Sequence, residues 1–249
     1  MIMSSALKTI VVITDALRQR YKNRYAVIAD KLLTAPDGAD PIPVTTAPAQ
    51  LQGTGELKIG YMVHLYQGRG LEVIEFLAKS CPWADFHVVG GRPEENAVVQ
   101  DRMSHFPNVY LHGFVPPAHV DSFKLACDVL IAPYQTGLRT NAGHNTVRWM
   151  SPLKIFEYMA AGKAIICSDL PVLREVIVNN HNAILVPPAE FEKWTSALER
   201  LRNEQVLRER LGAQARKTFS EKYTWAVRAK QVIRIDTVKS KSKTFASSR

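Results

Sequence analysis

Six short apolar runs, each followed by a helix-length stretch, constrain this chain more than anything else in its 249 residues. From Leu57 onward they read LKIGYM, DFHVVGG, NVYLHGF, DVLIAPY, AIICSD and AILVPP. Each is β-branched and apolar on both faces, which suits a central strand of a parallel sheet covered by helices on both sides. The repeated β-α order predicts a doubly wound, Rossmann-like α/β sheet. In such a sheet ligands bind beyond the carboxyl ends of the strands, where loops meet helix N-termini. The loops after the six runs are therefore where chemistry is to be sought.

The segment around SPLKIFEYMAAG is the most informative of these loops. Ser151 as N-cap, Pro152 at the first helical position and Gly162 just past the end are boundary signals of a helix. Leu153 and Lys154 would then present free backbone N–H groups at a positive helix end, which suits an anion. A cation there is repelled by about 0.3 to 1 kcal/mol, and a capping box would have placed Glu or Gln where Lys154 stands. Lys154 makes sense opposite a phosphate, and Glu157, one turn on, can accept from vicinal hydroxyls as acidic residues do for ribose. The alternative is a plain i, i+3 surface pair between the two, worth about 0.2 to 0.5 kcal/mol.

Gly68, Arg69 and Gly70 form a second candidate, where the first run ends and a helix opens. Two glycines allow close backbone approach and an arginine between them can clamp diphosphate oxygens. A tight βα turn with no ligand accounts for them equally well. The third glycine of the dinucleotide fingerprint is missing, which disfavours a nicotinamide cofactor. Gly90, Gly91, His112, Gly113, Phe114, Pro133 and Tyr134 stand at the same edge, and Phe114 or Tyr134 would line a base pocket or simply pack in the core. Residues 135–150 form a polar, basic loop in which Arg139, His144 and Arg148 could reach an anion.

Other classes of chemistry find little support. No two aspartates stand as DxD, the histidines lack HxxxH or HExxH spacing, and Cys81, Cys127 and Cys167 form no CxxC pair. Neither a metal site nor a disulfide is expected. No Ser/His/Asp set or carboxylate pair has a usable spacing, so catalytic residues are not named. The formal charge is +9, but Lys239, Lys241, Lys243 and Arg249 put almost half of it in one acid-free tail. With no basic patch interleaved with aromatics, nucleic-acid binding is not expected. Anionic small substrates and peripheral contact with an anionic membrane fit the charge. The start of the chain has too short an apolar core for a signal peptide, and a cytoplasmic location is expected.

Residues 8–30 read as one strand-helix-strand unit, followed by a proline-rich loop or linker. A lone unit of that kind cannot bury its own faces and must pack on something larger. The boundaries expected are a unit over 1–45, a linker over 46–56, the sheet domain over 57–236 and a basic disordered tail over 237–249.

At SPLKIFEYMAAGKAIICSDLPVLREVI the sequence resembles the donor-binding half of the retaining glycosyltransferases of family four, which have the GT-B fold. The similarity runs in order from Leu57 to Ala229. IGYMVHLYQGRGLEVI resembles the family's phosphate loop, FHVVGG, NVYLHGFVPP and CDVLIAPY its next three strands, and YTWAVRA its closing helix. The resemblance implies a nucleotide-diphospho-sugar donor, UDP- or GDP-linked, and retaining transfer without metal or other cofactor, in polysaccharide or glycoconjugate synthesis. It also implies that Arg69 and Lys154 contact the diphosphate, with the amide near Leu153, and that Glu157 holds the ribose. Trp149 stands where the family often has a sugar-contacting Glu, eight residues before Glu157. Residues 1–45 resemble only the end of the acceptor domain, so that domain is missing or supplied by another chain. A non-catalytic nucleotide-sugar-binding partner or regulatory subunit is the alternative function.

Overall fold

A computed structural model describes residues 6–62, 69–91, 99–137 and 147–233. Its main body is a six-stranded, wholly parallel sheet built from β3 (Leu57–Met62), β4 (Ala84–Val89), β5 (Val109–Gly113), β6 (Val129–Ala132), β7 (Ala164–Ser168) and β8 (Ile184–Val186). The order across the sheet is β5-β4-β3-β6-β7-β8, with every neighbouring pair parallel. Connections run outward on one side from β3 and on the other from β6, so the strand order reverses between those two. That reversal opens the crevice in which such sheets bind ligands. The doubly wound α/β sheet expected from the sequence is thus what the chain forms.

The two-faced apolar character of the strands has a direct outcome. In β6, Val129 and Ile131 face one core, shared with Ile74, Leu77, Trp194, Leu198 and Leu211. Leu130 and Ala132 alternate into the other, with Ile155, Phe156, Met159, Ala215 and Phe219. The helices Leu71–Ser80 and Phe191–Asn203 cover the first face. Leu153–Ala161 covers the second, and Gln205–Lys222 contributes residues to both. Trp194 is fully buried, and burying a side chain of that size against leaving it exposed is worth about 3 kcal/mol.

The N-terminal unit is a two-stranded parallel sheet of β1 (Ile10–Val12) and β2 (Leu32–Thr34), with the helix Asp15–Arg24 between them. The second strand lies later than the sequence suggests: Ala26–Lys31 coils into a 3-10 turn instead. That turn buries Ile28 and leaves Val27 outside, and it brings Leu32 into register with Ile10. Val12, Ile28 and Leu32 form its whole buried core, too small to stand alone. The unit is fastened to the main body by the Glu175 carboxylate, which accepts from the amides of Asp15 and Ala16 at 2.7 and 2.9 Å. Thr14 caps the same helix and its hydroxyl donates to the Trp149 carbonyl at 3.2 Å.

The proline-rich stretch that follows is a fixed strap. Ala39 bridges to Thr224 and donates to the Tyr223 carbonyl, Asp37 pairs with Arg228, and Ala49 donates to the Ser122 carbonyl. Lys58 closes it from below, donating to the carbonyls of Gln52 and Gly53 and pairing with the buried Asp85. The tail over 237–249 lies outside the described residues.

Candidate functional site

At the strand reversal the structure has a cleft of about 650 Å³. Its floor is the end of β3 and the loop after β4, represented by Met62 and Gly90, and Phe114 in the loop after β5 stands at its edge. One wall is the first turn of the Leu153–Ala161 helix with Leu153, Lys154 and Glu157. The opposite rim is the strap at Gly38 to Asp40 together with Trp225, which opens a helix running over residues 225–233.

The first turn of that helix departs from the expected capping in one respect. Ser151 does not cap: the helix begins at Leu153, Pro152 precedes it, and the Ser151 hydroxyl is buried without a partner among the described residues. The amides of Ile155 and Phe156 both reach the Pro152 carbonyl, at 2.8 and 3.3 Å. Proline has no amide of its own, so the amides of Leu153 and Lys154 remain as the donors at this helix end. Gly162 ends the helix in the left-handed conformation, as the sequence predicts.

Lys154 does not pair with Glu157 here. Its ammonium lies 5.9 Å from the Tyr158 ring centroid, and among the described residues it forms no ion pair. Burial, with the nearby charges of Arg69 and Lys124, pulls its pKa down to about 8, against the opposing pull of Glu157. Glu157 instead faces Lys124 across 3.9 Å, and Lys124 holds Asp121 at 2.6 Å. The surface-pair alternative for Lys154 and Glu157 is therefore not what the fold builds.

The glycine loop divides. Gly68 lies outside the described residues. Arg69 places its guanidinium carbon 5.5 Å from the Tyr134 ring centroid, and its carbonyl accepts from the Tyr61 hydroxyl at 2.8 Å. Gly70 opens the Leu71–Ser80 helix with φ 88°, and a Cβ on it would fall 1.9 Å from the Pro133 carbonyl oxygen. Its close approach is thus to the neighbouring loop, the tight-turn role. Tyr134 is buried in the core, with its hydroxyl pKa raised to about 12 by desolvation. Tyr158 donates and accepts at the end of β3, taking the Met62 amide at 3.0 Å, and so ties the helix wall to the floor.

Of the residues singled out from the sequence, Gly90, Gly91, Phe114, Leu153, Lys154 and Glu157 meet in the cleft, Arg69 and Gly70 sit in the adjoining loop, and Ser151 is partly buried with its hydroxyl enclosed. Phe114 is 69% exposed at the rim, not core. Arg139 and His144 lie outside the described residues, and Arg148 is exposed. Trp149 does not line the cleft: its ring lies under Arg20 at 4.2 Å, against the N-terminal unit. Sequence reading missed Asp40, Asp121, Lys124 and Trp225. Among the described residues no group of three His, Cys, Asp or Glu side chains could hold a metal, and no helix is long and apolar enough to cross a membrane.

Comparison with known proteins adds four findings. A profile of the family described as "Glycosyl transferases group 1" matches residues 68–204. A phosphatidyl-myo-inositol mannosyltransferase of Mycobacterium leprae is 35% identical over 81 residues, 32% of this chain and 21% of that protein. TuaH of Bacillus subtilis, a putative teichuronic acid biosynthesis glycosyltransferase, is 27% identical over 121 residues, 49% and 29% of the two chains. Among solved structures, HepE of Anabaena, in complex with UDP and glucose, superposes with a TM-score of 0.71 at 14% identity, covering 92% of this chain and 63% of its own. The match thus spans less than two thirds of each of these relatives.

Proposed function

The chain belongs to the glycosyl transferases of group 1, and on that premise we propose that it binds the nucleotide-diphospho-sugar donor, UDP- or GDP-linked, of a retaining, metal-independent sugar transfer. The first turn of the Leu153–Ala161 helix carries the proposal: two amides without a partner among the described residues, and a partly buried lysine in no ion pair among them, converge on the cleft. A helix end with free N–H groups beside a cation is built for phosphate oxygens. Arg69 and Lys154 then meet the diphosphate, the Leu153 amide adds a donor, and Glu157 accepts from the ribose hydroxyls. As the sugar leaves, negative charge grows on the diphosphate, and these fixed donors stabilise it more than they stabilise the ground state. The cations stand in the place a divalent ion would otherwise fill.

The strap and Trp225 mark the rim over which an acceptor-binding part, whether of the same protein or of another chain, would close. The second reading, a nucleotide-sugar-binding partner that does not itself transfer, is favoured by one observation: Trp149 is locked against Arg20 and brings no carboxylate to the sugar end. A cytoplasmic location agrees with three free, buried cysteines, and peripheral contact with an anionic membrane is assigned to the basic tail.

Calorimetric titration of the chain with UDP, GDP and ADP and their sugars tests the donor site, and silence toward all of them would sink it. Lys154→Ala is expected to weaken diphosphate binding by about 1.5 to 3 kcal/mol, the worth of a hydrogen bond to a charged group. Binding that becomes sugar transfer only when a second protein is added supports a half-enzyme; binding with no transfer from any pairing supports the second reading.

A further inference from the structure

Lys124 is the anomaly of the cleft. It sits on the helix Pro117–Ala126, and of that helix's ten residues it is the one that is buried. Its side chain is 5% exposed. Val120, Phe123 and Leu125 beside it are only partly buried, so the inward position that an amphipathic helix normally gives to an apolar residue is held by an ammonium. The contact with Asp121 at 2.6 Å does not explain that placement. An i, i+3 pair forms as well on a solvated helix face, without the desolvation that burying a charge entails.

What burial adds is a second carboxylate, on another helix. Glu157 Oε2 lies 3.9 Å from the same ammonium. The Glu157 side chain is 43% exposed and forms no other ion pair among the described residues, Lys154 acting on it only at longer range. Left alone it would turn freely toward water. Lys124 is also poorly placed to be a phosphate ligand, because Asp121 already neutralises it at hydrogen-bond distance. Its directional pull on Glu157 is what remains.

We propose that Lys124, anchored by Asp121, is a positioning residue that aims the Glu157 carboxylate into the cleft to receive the two ribose hydroxyls; this rests on the donor-site reading above. Lys124 itself touches no part of the nucleotide. Selectivity for a ribose-bearing ligand over a bare diphosphate would then depend on a residue one helix removed from it.

The test is a double-mutant cycle read by calorimetry with two probes, UDP and inorganic diphosphate, on the full chain. Lys124→Met should weaken UDP about 10-fold, the loss of one hydrogen bond from a ribose hydroxyl to the mis-aimed Glu157 carboxylate, and leave inorganic diphosphate within about twofold. In a Glu157→Gln background the same change should cost nothing further, since the group it positions is already gone. Equal weakening of UDP and diphosphate, or the same UDP loss in both backgrounds, would overturn the positioning role and leave the donor site standing. A native chain that binds neither probe removes the donor site and the positioning role with it. If Lys124→Met does not melt cooperatively, Lys124→Gln, whose amide still donates to Asp121, takes its place in the same cycle.

Discussion

Lys154→Met should make the ligand-free protein more stable at neutral pH while weakening its hold on a diphosphate. The wild-type ammonium is held in a cleft that lowers its pKa from 10.5 to about 8, chiefly by burial. At 1.36 kcal/mol for each pH unit, that fall corresponds to about 3 kcal/mol by which the folded chain disfavours the charged form. The sign follows from where the proton sits. Below pH 8 both folded and unfolded chains carry the charge, and the folded one bears the whole penalty. From pH 8 to 10.5 the folded chain sheds the proton first and the penalty fades. Above 10.5 it is gone. Methionine, similar in length and uncharged, should therefore raise stability by about 2 to 3 kcal/mol at pH 7, with the gain shrinking below about 1 kcal/mol by pH 10. Urea unfolding of both proteins at pH 7, 8.5 and 10 measures this, since the difference between them cancels other titrations. With saturating UDP that advantage should largely vanish at pH 7, because the ligand stabilises the tighter-binding wild type by about 1.5 to 3 kcal/mol more. A variant that is less stable at pH 7, or whose advantage does not change with pH, would refute the desolvated state of Lys154.

Two further outcomes follow from the packing. Glu175→Ala removes the carboxylate that satisfies the amides of Asp15 and Ala16, a loss of about 1 kcal/mol that hydrogen exchange should localise to residues 15–24; uniform loss of protection across the sheet would contradict it. His87 is fully buried in β4, 3.1 Å from His112, and desolvation together with that neighbour pulls its pKa down to about 4. Between pH 6.5 and 4 the unfolded chain takes a proton the folded one refuses, so stability should fall by up to about 3 kcal/mol over that window. His87→Phe, stacked in the same place on Tyr110, should flatten the decline, and an unchanged pH profile by circular dichroism would refute it.

The sheet was legible because its strands are apolar on both faces and punctuated by glycine and proline, a pattern only a doubly covered parallel sheet satisfies. The order of the strands was not written in any one of them; it emerges from packing of the helices between. At the site, the helix from Leu153 announced itself through its odd lysine. The cap did not follow the rule, because Pro152 took the preceding position and left Ser151 turned inward. Lys124 was hidden for a physical reason: an Asp121–Lys124 spacing looks like any solvated i, i+3 pair, and only the tertiary fold turns it inward. Asp40 and Trp225 were missed because they reach the cleft from segments far away in the chain. Trp149 was visible as a departure, but its partner Arg20 was not.

The bridge between Ala39 and Thr224 joins two segments 185 positions apart, and both border the same opening. The N-terminal unit hangs from one of these segments, and the helix that begins at Trp225 grows from the other. Any displacement of that unit must therefore pull on both segments of the rim that faces the Leu153–Ala161 helix, like a drawstring whose two cords share one knot. The cleft's width is in this sense set from outside the sheet, and a chain trimmed to residues 57–222 would keep the floor and the helix wall yet lose the rim that faces them.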